Sequence, residues 1–222
     1  EGLSTYVNTV FYKEGIGIPK ELAEQTEITY YPLAQGEYNI NFWFMHPITS
    51  QKMVLRVNTG SQMHLEHQIE YEYHALEVLQ ESGRTPRPVF VDGSREHLTY
   101  GVMVMEFLEG EALDYRRDLS LAAECLADIH SVPVMGDEVL ISPSNPLQAI
   151  LDECNQMVQT YYESGLGSEE KKAQIRRLLQ KGQEKIDSIK DYDGYRCCIN
   201  TELNSRNFLI NGAGKPNYLV DW

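Results

Sequence analysis

The sequence predicts an α+β fold in two lobes, and three observations carry that expectation. The first half alternates apolar and polar residues as strands do, with one helical pattern between them. The second half carries helical apolar stripes, and the chain closes on a short strand–turn–strand. Strand-rich and helix-rich regions that follow one another, rather than alternating, describe α+β architecture.

The strand segments come first. TEITYYPLAQ (26–35) and EYNINFWFMHP (37–47) are rich in aromatic and β-branched residues and meet at Gly36. Tyr38, Ile40, Phe42 and Phe44 alternate with more polar neighbours, which is period two. KMVLRVN (52–58) follows the turn residues of HPITSQ, so an antiparallel three-stranded meander is expected. HLEHQIEYEYHALEVLQES (64–82) places Leu65, Ile69, Tyr73, Leu76 and Leu79 at spacings of three and four, one face of a helix. Gly83 and Pro86 stop it. RPVFVDG and YGVMVMEF read as two buried strands, with Met103 and Met105 alternating into the core.

LSLAAECLADIHS (119–131) begins the helical half, with Leu121, Cys125, Leu126 and Ile129 on one side. NPLQAILDECNQMVQTYYES (145–164) has Asn as a cap, Pro at its first position, and an apolar stripe through Leu147, Ile150, Leu151, Cys154, Met157 and Val158. SEEKKAQIRRLLQKGQEKIDSIK (168–190) starts on a Ser cap with acids in its first turn, and reads as a solvated charged face. FLEGE breaks the periodicity, so a hinge is expected near residues 107–111. That divides the chain into an N-terminal lobe (1–107) and a C-terminal helical lobe (108–222).

The formal net charge of −14 and pI near 4.8 exclude a general nucleic-acid binder, which presents a basic face. Acidity serves solubility in many proteins, and it also suits a cationic small substrate. Cys125, Cys154, Cys197 and Cys198 form no CxxC pair, so neither a zinc site nor a disulfide framework is expected and the thiols are read as reduced. The N-terminal residues lack a basic segment before an apolar core, and no apolar run is long enough to span a bilayer. A cytoplasmic protein without a membrane partner is the expectation.

INTELNSRNFLI (199–210) places Asn207 five positions after Glu202, and YLVDW places Asp221 fourteen positions further on. Phosphoryl transfer needs such groups: an acid facing the accepting hydroxyl, oxygen ligands for Mg²⁺, and a cation on the phosphates. Upstream, Arg56 lies in MVLRVN and Glu72 lies on the helical pattern with Leu76 and Leu79 beyond it. Five segments in this order resemble the aminoglycoside phosphotransferase and choline kinase family. VLRVN with EYHALEVL is similar to that family's VLR strand and E-x-x-x-L-x-x-L helix. LAAECLADIHS resembles its LA-x-x-LA-x-LH helix, INTELNSRNFLI its HGDLHPGNVLV or HNDLNPGNFLI loop, and YLVDW its IDW. The resemblance covers roughly residues 26 to 222.

The resemblance implies a protein-kinase-like fold, with an antiparallel-sheet N-lobe and a mainly helical C-lobe. It implies ATP as phosphoryl donor, with GTP possible, and Mg²⁺. The acceptor would be a hydroxyl of a small, amino-containing molecule. It assigns Gly36 to the turn over the phosphates, Arg56 and Glu72 to the ion pair that positions them, and Glu106 and Leu108 to the segment whose backbone receives the base. Asn207 and Asp221 would hold metal, and Glu202 would be the catalytic acid. A hairpin glycine is the alternative for Gly36, a turn Asn and a strand-end Asp for the metal pair, and a loop carboxylate for Glu202. His130 is expected to be a structural helix-end residue, and His64, His67 and His74 surface or packing residues.

Three departures matter. The loop's usual His-Gly-Asp is Asn200-Thr201-Glu202 here, only one Gly lies in the phosphate turn, and the third-strand cation is Arg where many kinases have Lys, although the VLR form also occurs in the family. Glu is one methylene longer than Asp, and a misplacement of about an ångström can cost roughly a hundredfold in rate. Slower transfer or a rebuilt loop is therefore expected. A nucleotide-binding pseudokinase without transfer activity is the alternative function, and a structural α+β protein without nucleotide is a third. Family members continue past the position of Trp222, so the chain is also expected to be incomplete at its C-terminal end.

Overall fold

The computed structural model describes residues 2–60, 65–134, 136–189, 196–200 and 203–222. Two compact units are distinguished by their internal contacts: Glu1–Val139 with Cys197–Trp222, and Leu140–Arg196.

The larger unit is built on a five-stranded antiparallel sheet. Its strands are β1 (Tyr30–Gln35), β2 (Asn39–Met45), β3 (Lys52–Asn58), β4 (Pro88–Asp92) and β5 (Gly101–Glu106), in the order β1-β2-β3-β5-β4. The expected meander is therefore present, and KMVLRVN forms β3 over its full length. Directly opposed residues of an antiparallel sheet share a face. One face carries Phe42–Leu55–Val104 and Ile40–Val57–Val102 in register. The other carries Trp43–Val54–Met105 and Asn41–Arg56–Met103. Every residue of β3 except Lys52 is buried, because both faces are covered.

The first face is covered by elements that the sequence reading had not anticipated. Three short helices, α1 (Gly2–Tyr6), α2 (Val10–Gly15) and α3 (Lys20–Ala23), pack Tyr6, Tyr12, Ile16, Ile18 and Ala23 against Phe44, Leu55, Val57, Val102 and Val104. Buried polar groups fasten this layer. Lys13 Nζ donates to Ala23 O at 2.7 Å, and His46 Nε2 bonds Ile16 O at 2.9 Å while its Nδ1 accepts from the Ile48 and Thr49 N–H groups. Tyr6 donates its hydroxyl to Asp92 Oδ2 at 2.6 Å.

The second face receives α4 (Gln68–Leu79), whose Ile69 and Leu76 pack with Val54, Met103 and Met105. A 3-10 turn (Gln80–Ser82) extends α4, and Gly83 ends it in the left-handed conformation at φ 66°. A second core lies where α5 (Leu119–His130) meets a short hairpin of β6 (Phe208–Leu209) and β7 (Tyr218–Leu219). Ala122, Cys125, Ile129, Phe208, Ile210 and Leu219 are buried there. Glu111 and Ile210 exchange backbone hydrogen bonds at 3.0 and 2.7 Å, which tie the segment after β5 to this hairpin.

The smaller unit is a helical pair, α6 (Pro146–Glu163) and α7 (Glu169–Asp187), with the Asn145 and Ser168 caps expected from the sequence. No residue of α7 is buried, which fits its charged composition. The apolar stripe of α6 is covered only at Leu151, beside Gly182, while Ile150 and Met157 are 52% and 67% exposed.

Candidate nucleotide and phosphoryl-transfer site

Arg56 is the centre of the site. It projects from β3 on the face that α4 covers, among Val54, Met103 and Met105, so its charge is carried into a largely apolar layer. Glu72 approaches from α4, and both side chains are only 6% exposed. Arg56 Nε lies 2.9 Å from Glu72 Oε2, close enough to pair in charge but without hydrogen-bond alignment. Gln68, one turn earlier on α4, donates to Glu72 Oε1 at 2.8 Å. Burial pushes the Glu72 carboxyl above its ordinary value, against the opposing pull of Arg56 and Gln68. On its other side Arg56 Nη2 donates to Asp221 Oδ1 at 2.5 Å.

Asp221 follows β7 and has a φ of 74°, a left-handed conformation uncommon for a residue with a side chain. Its side chain is 45% exposed. Asn200 Nδ2 donates to its carbonyl at 2.8 Å. Asn200 stands where the resembling loops carry His, and it ties the loop to the segment that follows β7. The sequence names Asn200 only as a departure from that His, because its role depends on a contact 21 residues away. The hairpin register, Phe208 opposite Leu219, brings Asn207 across from Val220, and Val220 N donates to Asn207 O at 2.8 Å. Asn207 is buried. An amide and a carboxylate on adjoining strand ends are a donor set that suits Mg²⁺, which uses few protein ligands and keeps waters and phosphate oxygens for the rest. Among the described residues, no group of three or more His, Cys, Asp or Glu side chains could hold a metal ion.

Glu202 lies outside the described residues. Gly36 lies in the β1–β2 turn, where its N–H donates to Asn39 O at 2.9 Å. Among the described residues a Cβ there would meet only Asn39 O, at 3.9 Å, so neither their packing nor the backbone conformation requires glycine. Glu106, at the end of β5, donates its N–H to Arg87 O at 2.9 Å. The Leu108 N–H, two residues on, is used by no described residue. Near this segment Trp43 and Phe107 meet edge to face at 6.4 Å, and Lys52 Nζ, paired with Glu109, stands 5.0 Å from the Phe107 ring.

Met103 and Met105 are buried on the inner face. His74 Nε2 lies 2.8 Å from Asp137 Oδ2, and His67 precedes α4 beside Glu70. His64 lies outside the described residues. All four cysteines are free, and burial raises the Cys125 and Cys198 thiols to about 11, the chemistry of inert packing thiols.

An antiparallel sheet with a cation on its third strand, an acid on the following helix and a second acid after a terminal hairpin is the arrangement of a protein-kinase-like fold. The chain belongs to the phosphotransferase enzyme family, whose pattern it matches over residues 29–222. Solved structures agree on the fold. A candidate aminoglycoside phosphotransferase from Ralstonia eutropha superposes with a TM-score of 0.66 at 16% identity, covering 100% of this chain and 63% of its own. An ethanolamine kinase from Plasmodium vivax gives 0.62 at 13% identity, over 91% of this chain and 58% of its own. A spectinomycin phosphotransferase solved with ADP and spectinomycin gives 0.51 at 15% identity, over 88% and 63%. The chain thus spans about three fifths of the length of these structures. No curated protein matches it in sequence.

Proposed function

We propose that this chain is the nucleotide-binding and metal-binding part of an ATP-dependent phosphotransferase that phosphorylates a hydroxyl of a small, amino-containing molecule. The observation that carries this reading is Arg56 held between Glu72 and Asp221. Glu72 fixes the guanidinium, which then faces the phosphates, and Asp221 with Asn207 holds Mg²⁺. The metal neutralises charge on the transferring group. GTP remains within reach of the same geometry. The Leu108 N–H, which no described residue uses, lies beside Glu106 and the Trp43–Phe107 corner and supports docking of the base at that end. The absence of any steric need for glycine at position 36 supports close approach of phosphate there. In this reading residues 1–107 form the nucleotide lobe and 108–222 the lobe of the catalytic loop, where Glu202 orients the accepting hydroxyl.

The net charge of −14 supports a cationic acceptor, and the amino-alcohol and aminocyclitol substrates named for similar structures support the same class. Among the described residues no helix is long and apolar enough to cross a membrane, and a cytoplasmic setting is the one that supplies ATP. The test is to offer Mg-ATP and a panel of choline, ethanolamine and aminoglycosides to the full-length protein and follow phosphorylated product. Turnover lost in Glu202→Ala supports the reading. Nucleotide binding without product, unchanged in Glu202→Ala, supports a pseudokinase instead.

A further inference from the structure

We propose that Asn39 is a positioning residue that holds the Arg56 guanidinium for the nucleotide phosphates, an inference that rests on the nucleotide reading of the Arg56 site. Asn39 opens β2, and its backbone carbonyl accepts from the Gly36 N–H at 2.9 Å, which closes the β1–β2 turn. It pairs with Asn58 on β3, one same-face step beyond the Asn41–Arg56 pair, so its side chain shares the sheet face of Arg56. The neighbours of the side-chain amide fix its orientation. Its oxygen accepts from Arg56 Nη2 at 2.6 Å, and its nitrogen donates to Tyr38 O at 3.1 Å and meets the Asn58 amide at 3.0 Å. The reverse orientation would set an amide N–H against the guanidinium and an amide oxygen against a carbonyl.

The donors of Arg56 show what this contact does. Nε faces Glu72, and Nη2 is shared between Asp221 and Asn39. Nη1 is used by no described residue, which makes it the edge left for phosphate oxygens. In the proposed function Asp221 is a metal ligand, and Asn39 is then the acceptor that keeps Nη2 in place. It is also the neutral one of these three anchors. A neutral acceptor fixes the guanidinium without cancelling the charge that attracts phosphate. Aspartate at this position would hold Arg56 as well, but it would offset that charge and set a second carboxylate beside Glu72, which Asn39 also adjoins. Because the Asn39 backbone closes the Gly36 turn while its side chain holds Arg56, one residue sets the turn and the cation relative to each other.

Calorimetric titration of the full chain with Mg-ATP and with adenosine tests this, because adenosine has no phosphates for Arg56 to meet. Asn39→Ala should bind Mg-ATP about 10-fold more weakly than wild type, the low end of what a hydrogen bond to a charged group is worth, and should bind adenosine as wild type does. Asn39→Asp, nearly identical in shape and still an acceptor, should lose Mg-ATP affinity at least as far and again spare adenosine. In an Arg56→Met background the Asn39 substitution should weaken Mg-ATP by no more than about twofold further, since no guanidinium is left to position. Mg-ATP affinity within about twofold of wild type in Asn39→Ala overturns the inference, and so does an equal loss toward both ligands, which would mark a disturbed lobe. Wild-type Mg-ATP affinity in Asn39→Asp overturns it even if Asn39→Ala does not fold. If wild type binds neither ligand, the nucleotide reading fails and takes this inference with it.

Discussion

Arg56 and Asp221 are separated by 165 positions in the chain, yet the guanidinium of one donates to the carboxylate of the other at 2.5 Å, while its Nε stands 2.9 Å from Glu72. A single cation thus joins the third strand, the helix packed on it and the end of the terminal hairpin. Arg56→Ala leaves Glu72 buried beside no cation. Removing one partner of a buried pair typically costs about 3–5 kcal/mol, and urea denaturation should show a loss of that order. Arg56→Lys, with one ammonium in place of a fork, should fall between wild type and Ala. A loss below about 1 kcal/mol, the range of exposed ion pairs, would contradict the buried geometry.

Glu72 gives the protein a particular pH response. Burial raises its folded carboxyl above the ordinary 4.5. The folded state therefore holds a proton that the unfolded state has released, and stability falls as pH rises from the unfolded value through the folded one. Glu72→Gln removes this contribution. The stability difference between wild type and Glu72→Gln, measured by denaturation across pH 4 to 7, should shift against wild type as pH rises. A difference that does not vary over that window would contradict the assignment.

Asp92 behaves in the opposite sense. Burial favours its neutral form, but hydrogen bonds from the Tyr6 hydroxyl and from Ser94, with His97 nearby, outweigh it and hold the carboxyl below the ordinary 3.8. Its stabilisation is present above that value and is lost as pH falls through the folded one. Tyr6→Phe should cost about 1–3 kcal/mol at neutral pH, and the cost should shrink on acidification below pH 3.8. The same cost at pH 2 and pH 7 would argue that Tyr6 acts through packing alone.

Gly110 marks a close approach. A Cβ added there would come within 2.7 Å of the Leu209 carbonyl carbon and Cβ, where the segment after β5 crosses β6. Backbone cannot yield as a flexible side chain does. Gly110→Ala should therefore destabilise by about 1–3 kcal/mol in chemical denaturation. Under the proposed function it should also weaken nucleotide binding, because the same segment carries Glu106 and Leu108. Unaltered stability would show that the crossing is looser than described.

Much of this was legible in the sequence because the signals were long or repeated. Tyr38, Ile40, Phe42 and Phe44 announce β2 by alternation, and Ile69, Leu76 and Leu79 announce α4 by helical spacing. Arg56, Glu72 and Asp221 were singled out through the order of motifs, and the structure brings those three together. Helices α1 to α3 were not legible. They have five, six and four residues, too short for an apolar period to show, and Gly15, Gly17 and Pro19 punctuate them as a loop is punctuated. What orders them is tertiary: Tyr6 and Tyr12 find a sheet face to cover.

The most direct test of the account is calorimetric titration of Mg-ATP into wild type, Asp221→Ala and Asp221→Gly. Both variants remove the carboxylate, but Gly relieves the left-handed backbone at φ 74° and should leave the protein more stable than Ala does. The account predicts Mg-dependent binding by wild type and its loss in both variants alike, whatever their stability. Binding by wild type that persists unchanged in both, or no binding by any of the three, would contradict it.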